Sequence, residues 1–211
     1  MELQILKPFG PSILKTKIPE NIVNDINDYV DKLIQNKNKS EQADHGNQLA
    51  GDVTQEFLLE PDFIKKVGWL NFLGKCTHAW IKKETNREIK NFSIIQSWIV
   101  RQFQNEYNPV HHHSGHVSGV GYLKVPKNFG KTFQSSKKSN ANGHLSLIHG
   151  NRMFGSESVL DIEPKVGDFY FFPNYLMHTV YPFYESNEER RSVSFNARID
   201  EKIYNVYGTA D

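Results

Sequence analysis

The chain is too poor in cysteine to be held together by disulfides. Cys76 is alone among 211 residues, which excludes an internal bridge and fits a reducing cytosol. Surplus charge is absent as well. Lys and Arg number 25 against 24 Asp and Glu, and a formal charge of +1 supplies no general attraction to nucleic acid or to a membrane surface. No apolar run approaches the ~20 residues of a membrane span. The opening stretch MELQILKPFGPSILKTKIPENI lacks the apolar core of a secretory signal. No internal repeat is visible. These absences leave one cytoplasmic domain over 1–211, long enough to bury its own core, with neither nucleic acid nor membrane as an expected partner.

What is present changes character near residue 90. Before it, residues 2–18 read as short extended pieces broken at Pro8, Gly10, Pro11 and Pro19. Ile22, Ile26, Val30 and Ile34 then recur every four residues and predict an amphipathic helix ending near Gln35. The polar stretch 36–58, with Gly46 and Gly51, reads as a long loop, a candidate cover for a site. Phe63, Val67, Leu70, Leu73 and Trp80 predict a second helix from Pro61 to about residue 84. After residue 90 the period falls to two. FSIIQSWIVRQF, VSGVGYLKVP, HLSLIHG, DFYFFP, HTVYPF and RRSVSFNARI are β-branched and aromatic, and turn residues separate them. Helices followed by about eight short strands predict an α+β, mostly β fold, with 1–89 as helical support and 90–200 as a jelly-roll or sandwich core.

The nine histidines are unevenly spread, and four of them fall in HHHSGH, residues 111–116. In an extended segment, side chains at i and i+2 share a face about 7 Å apart. His111 and His113 therefore project together and His112 points away. Two imidazoles at that spacing can converge on one metal ion, since each bond is only about 2.1 Å long. A third ligand must come from elsewhere, and His178, heading HTVYPF, is the best placed. In RRSVSFN, alternation puts Arg190, Ser192, Ser194 and Asn196 on one face and Arg191, Val193 and Phe195 on the other. An arginine with a serine two residues on makes an anion pocket suited to a carboxylate. Together these residues point to a non-haem iron centre beside an organic acid. Each residue alone has a plainer reading: a solvated histidine pair, a core His178, and an Arg190 paired with Glu188 or Glu189.

The segments SWIVRQFQNEYNPVHHHSGHVSGVGYLKVP, PKVGDFYFFPNYLMHTVYPF and ERRSVSFNAR resemble, in that order, the 2-oxoglutarate/Fe(II) oxygenases, in a branch often carried by bacteriophages and related to prolyl hydroxylases. FGPSILKTKIP and GNQLAGDVTQEF resemble them more loosely. The resemblance implies a double-stranded β-helix, a cupin-like jelly-roll barrel with N-terminal helices packed on it and a metal in its mouth. It implies Fe(II), 2-oxoglutarate and O2 as cofactor and cosubstrates, and hydroxylation of a peptidyl prolyl residue, another amino-acid residue or a small molecule, with release of succinate and CO2. A phage-encoded member would work in the host cytoplasm.

Carried over by position, His111 and His178 are metal ligands, Arg190 and Ser192 hold the far carboxylate of the cosubstrate, and Tyr122 touches the same carboxylate or is a core aromatic. The wider family has Asp or Glu where this chain has His113. A direct His113 ligand leaves an Fe(II) site at +2, which a 2-oxoglutarate dianion neutralises. It also fills the space that halogenating relatives keep for chloride. Otherwise His113 stands behind the ligands, and water or His116 completes the sphere. Asp168 reads as structural.

Two other functions fit the same residues: a three-His cupin-type dioxygenase that does not use 2-oxoglutarate, and a non-catalytic jelly-roll binding module. The oligomeric state is open. Residues 36–58 and 127–143 are candidate lids, and Lys127, Lys131, Lys137 and Lys138 in the second would either be solvated or attract an acidic substrate.

Overall fold

The computed structural model describes residues 3–6, 10–134 and 136–205, so Pro8 lies outside the described residues. Strands β1 (Leu3–Leu6) and β2 (Ile13–Lys17) precede helices α1 (Glu20–Ile34) and α2 (Lys37–Ala43), a 3-10 turn over Gly46–Gln48, and strand β3 (Gln55–Leu58). Helices α3 (Pro61–Lys66) and α4 (Trp69–Thr85) follow, then β4 (Phe92–Gln102), β5 (Asn108–His111), β6 (Val117–Lys124) and β7 (Leu145–Ile148). The chain continues through β8 (Val159–Ile162), β9 (Asp168–Pro173), β10 (Met177–Val180), β11 (Arg190–Ile199) and the single turn α5 (Glu201–Tyr204).

Two antiparallel sheets face one another as a double-stranded β-helix. The larger has the order β1-β2-β9-β6-β11-β4-β3 and the smaller β5-β10-β7-β8. Alternation along each strand sorts the large sheet into two faces. One face packs on the helices: Phe57, Ile99, Phe169, Phe171, Val193 and Phe195 meet Ile22, Ile26 and Val30 of α1 and Trp69, Phe72, Leu73 and Trp80 of α4 in one apolar core. Gly121 lies beneath this layer because a Cβ there would stand 2.2 Å from the Phe169 ring. The other face turns into the barrel, where Val120, Tyr122, Tyr170 and Phe172 pack against Leu145, Leu147 and Val180 of the small sheet.

The first helix lies where its four-residue repeat predicts, and Ile22, Ile26 and Val30, with Val23, are its buried residues. The second predicted helix is two, because Gly68 adopts φ 79° between α3 and α4 and redirects the chain. The stretch 36–58 is not one loop. Asn36 caps α2 by accepting the Lys39 N–H at 3.1 Å, and β3 adds an edge strand to β4. The eight strands from β4 to β11 match the number expected after residue 90, but β8, short and half exposed and pairing with β7, lies outside the six segments whose alternation marked them.

Candidate functional site

His111 ends β5, an edge strand of the small sheet, where Pro109 is tolerated because one side of an edge makes no ladder bonds. β10 runs beside it with His178 directly opposite His111. His113 lies just past the strand end. Its N–H donates to the Asn174 carbonyl at 2.9 Å, and Asn174 Nδ2 donates back to the His113 carbonyl at 3.2 Å. The three rings converge, with centroids 4.2 Å (His111–His178), 4.8 Å (His113–His178) and 5.0 Å (His111–His113) apart. One ring nitrogen from each lies within 4.8 Å of the others, a spacing that can hold a metal ion.

The protonation of these rings is set by their surroundings. His111 Nδ1 lies 2.7 Å from the Pro109 carbonyl and His178 Nδ1 2.9 Å from the Leu176 carbonyl. A carbonyl can only accept, so each Nδ1 carries the proton and Nε2 is left with its lone pair. Burial disfavours the imidazolium of all three. It lowers His111, and with the neighbouring imidazoles it brings His113 down to about 2 and His178 to about 4. Three neutral imidazoles suit a divalent first-row metal such as iron. Among the described residues no carboxylate joins this cluster.

The cluster opens on a cavity of about 250 Å³ between the sheets. Arg190, Ser192, Ser194 and Asn196 line it from β11, Gln96, Trp98 and Val100 from β4, and Phe172 and Val180 from the barrel wall. Arg190 is fully buried. Its Nε donates to the Gly143 carbonyl at 3.1 Å, while Nη2 has no hydrogen-bond partner among the described residues. Its guanidinium stands 5.1 Å from the Tyr122 ring centroid, and the Tyr122 hydroxyl is also without a partner among the described residues. Burial lowers the arginine and raises the phenol. The two groups lie against one another, which opposes part of each shift, and the spare donor capacity of Arg190 Nη2 and the Tyr122 hydroxyl fits a carboxylate that would accept from both. Tyr122 itself packs in the barrel core, next to the cavity wall, opposite Ser192 in register.

Other residues singled out in the sequence lie elsewhere. Arg191 faces the helices, where it bonds Glu189 and Asp31, each at 2.7 Å. His112 is exposed at the cavity rim. His116 stacks on Tyr204 at 4.0 Å and accepts the Ile199 N–H at 3.1 Å, away from the three-ring cluster. Asp168 pairs with Lys15 and Lys17 on the large sheet. Among the described residues, the lysine-bearing stretch 127–143 supplies no lining residue. It is fastened to the segment after β10, through Gly143 N–H to the Pro182 carbonyl and Tyr184 N–H to the Phe129 carbonyl. The earlier polar stretch does reach the cavity, since Gln48, Leu49 and Ala50 line it.

Sequence reasoning missed Glu56 and Asn108, which also line the cavity. Glu56 sits in β3 beside Val100, buried to 1% exposure, and its Oε2 has no partner among the described residues. Burial, then the charge of Asp44, pushes its carboxyl up to about 7. The available signal was the alternation in QEFL: Phe57 belongs to the helix-side core, so Glu56 must face the other way.

Residues 96–196 match a family described as "Putative 2OG-Fe(II) oxygenase". No curated protein sequence matches the chain. Among solved structures, a Pseudomonas putida prolyl-4-hydroxylase shares 14% identity over 88% of this chain and 92% of that one, with a TM-score of 0.53. A Trichoplax adhaerens prolyl hydroxylase, in complex with a hypoxia inducible factor oxygen degradation domain peptide fragment, shares 13% over 93% and 87%, with a TM-score of 0.55. HygX from Streptomyces hygroscopicus, with nickel and 2-oxoglutarate bound, shares 12% over 90% and 82%, with a TM-score of 0.54. At these identities the likeness is one of fold.

Proposed function

Residues 96–196 match the 2OG-Fe(II) oxygenase family, and we propose that the chain is such an oxygenase, hydroxylating an amino-acid residue of a peptide, or a small molecule, at a metal held by His111, His113 and His178. It is an oxidoreductase that uses Fe(II), 2-oxoglutarate and O2. When bound, these supply the oxidation of an unactivated C–H bond, with 2-oxoglutarate leaving as succinate and CO2.

One observation carries this reading: a neutral three-imidazole cluster and a buried guanidinium with one nitrogen unpartnered among the described residues open on the same cavity. The protein's residues have definable tasks there. The Pro109 and Leu176 carbonyls fix the tautomer of His111 and His178, so their Nε2 lone pairs are ready to ligate without reorganisation. Arg190 and Ser192, with the Tyr122 hydroxyl, hold the distal carboxylate of the cosubstrate. A cupin-type dioxygenase that does without 2-oxoglutarate has no need of such an anchor. Trp98, Val100, Phe172 and Val180 exclude water, which strengthens every charge interaction inside. His113 in place of a carboxylate leaves the metal site one charge more positive, so the cosubstrate dianion is drawn in more strongly.

The prolyl hydroxylases among the solved structures support a peptide as one substrate class, and HygX, also solved with hygromycin B bound, supports a small molecule as the other. Metal analysis and anaerobic calorimetry test the proposal. Purified protein dialysed with Fe(II) should retain one metal per chain and bind 2-oxoglutarate only when loaded. A chain that keeps no metal, or binds 2-oxoglutarate equally well with Arg190 replaced by alanine, would sink it.

A further inference from the structure

We infer that Glu56 anchors the primary substrate, and that this substrate presents a protonated amine to it. The inference rests on the oxygenase reading of the cavity and adds the chemical class of what enters.

The register of the large sheet sets the geometry. Glu56, Val100, Ser192 and Tyr122 form one rung across β3, β4, β11 and β6 on the barrel face. Strands lie about 4.8 Å apart, so the β3 end of the rung stands roughly 10 Å from the β11 position. Arg190 is two residues along β11 from Ser192. A cation and an acid therefore line the same cavity from opposite sides of β4. Among the described residues they make no ion pair, and no Lys or Arg pairs with Glu56.

An unpartnered carboxyl oxygen at 1% exposure is costly in a resting protein unless something arrives to use it. The surroundings select a cation. An ammonium beside it would hold the carboxyl ionised, and an ionised carboxylate only accepts hydrogen bonds, so such a ligand donates. Asp44, which accepts the Glu56 backbone N–H at 3.2 Å, adds a second negative charge from the adjoining segment. His111, which lines the same cavity from β5, is neutral, and Arg190 faces the cosubstrate end. Gly51 closes over the group without a side chain, since a Cβ there would stand 3.0 Å from both Glu56 Oε1 and Asn108 Nδ2. The cavity thus sorts its two ligands by charge, with the dianionic cosubstrate at Arg190 and an ammonium at Glu56. A prolyl nitrogen inside a peptide carries no hydrogen and cannot be the anchored group. A lysine side chain, a chain amino terminus or a small amine can.

Ligand-observed NMR on the protein loaded with Zn(II) and 2-oxoglutarate tests this without turnover. The probes are n-butylamine and cadaverine, beside N-butylacetamide and N,N′-diacetylcadaverine. Both amines should bind and the acetylated forms should not. Glu56→Gln, which preserves volume, should weaken amine binding at least tenfold and leave 2-oxoglutarate affinity within twofold. Glu56→Asp, which keeps the charge, should retain part of the amine binding. Equal binding of amine and amide, no amine binding to the parent protein, or amine binding unchanged in Glu56→Gln would each overturn the inference. Failure of 2-oxoglutarate to bind the parent protein would instead overturn the oxygenase reading beneath it.

Discussion

Replacing Glu56 by glutamine should make the metal-free protein more stable, and only at neutral and alkaline pH. The folded protein holds this carboxyl up to about 7, against an ordinary value of 4.5. Below pH 4.5 the group is protonated whether the chain is folded or not, and it contributes no pH dependence. As pH rises the unfolded chain ionises freely, while the folded chain must keep its proton or bury a charge. Stability therefore falls between about pH 4.5 and 7, and the loss is complete above that window. A shift of that size, at about 1.4 kcal/mol per pH unit, corresponds to about 3 kcal/mol. Glutamine has nothing to ionise, so the variant should exceed the parent by about 3 kcal/mol at pH 8, or roughly 6–12 °C in Tm for a chain of this size, and by far less at pH 4.5. Urea unfolding of both proteins at the two pH values, in the presence of a chelator, reads this directly. His111, His113 and His178 titrate in both proteins and cancel in the difference. A stability difference that does not change with pH would refute the reasoning, because the carboxyl would then titrate alike in the folded and unfolded chain.

Four other outcomes follow from the geometry. His111→Ala and His178→Ala should each abolish metal retention by plasma emission analysis, whereas His112→Ala, exposed outside the cluster, should keep one metal per chain. Arg190→Ala should weaken 2-oxoglutarate binding by tens of fold or more with metal content intact, since a buried charge-assisted contact is worth about 2–5 kcal/mol; Arg191→Ala should instead cost about 0.5–3 kcal/mol of folding stability, because it empties a fully buried position and removes bonds to Glu189 and Asp31, which keep Arg101 and Lys124 as partners. Gly121→Ala should destabilise by about 1–3 kcal/mol in chemical unfolding, because the Phe169 ring already occupies the space of the new methyl group.

Much of this architecture is written in periodicity. The four-residue repeat of Ile22, Ile26 and Val30 and the two-residue alternation of RRSVSFN each have one structural solution, and the second separates Arg190 from Arg191 without any knowledge of the fold. Spacing also brought His111 and His113 into one group. The meeting of His111 with His178 was beyond it, because that contact is a register between two strands 67 positions apart in the sequence. β3 was hidden for another reason. An edge strand of four residues, two of them polar, inside a polar stretch carries too little pattern to stand out. Glu56 went with it, since an acid among Gln, Asp and Thr reads as surface until its neighbour Phe57 is seen in the core.

The opposition of His111 and His178 also bears on how the chain reaches its folded state. All four strands of the small sheet are four residues long, and sheets this short specify their alignment weakly. A slip of one residue between β5 and β10 would turn every side chain to the opposite face and part the two imidazoles. A metal ion held by both rings would bind the correct alignment and no slipped one, and so would stabilise that alignment in proportion to the logarithm of free metal concentration. In a cell, metal supply during synthesis would then act as a proofreading step on strand alignment, and chains made under iron starvation would suffer in yield as well as in turnover.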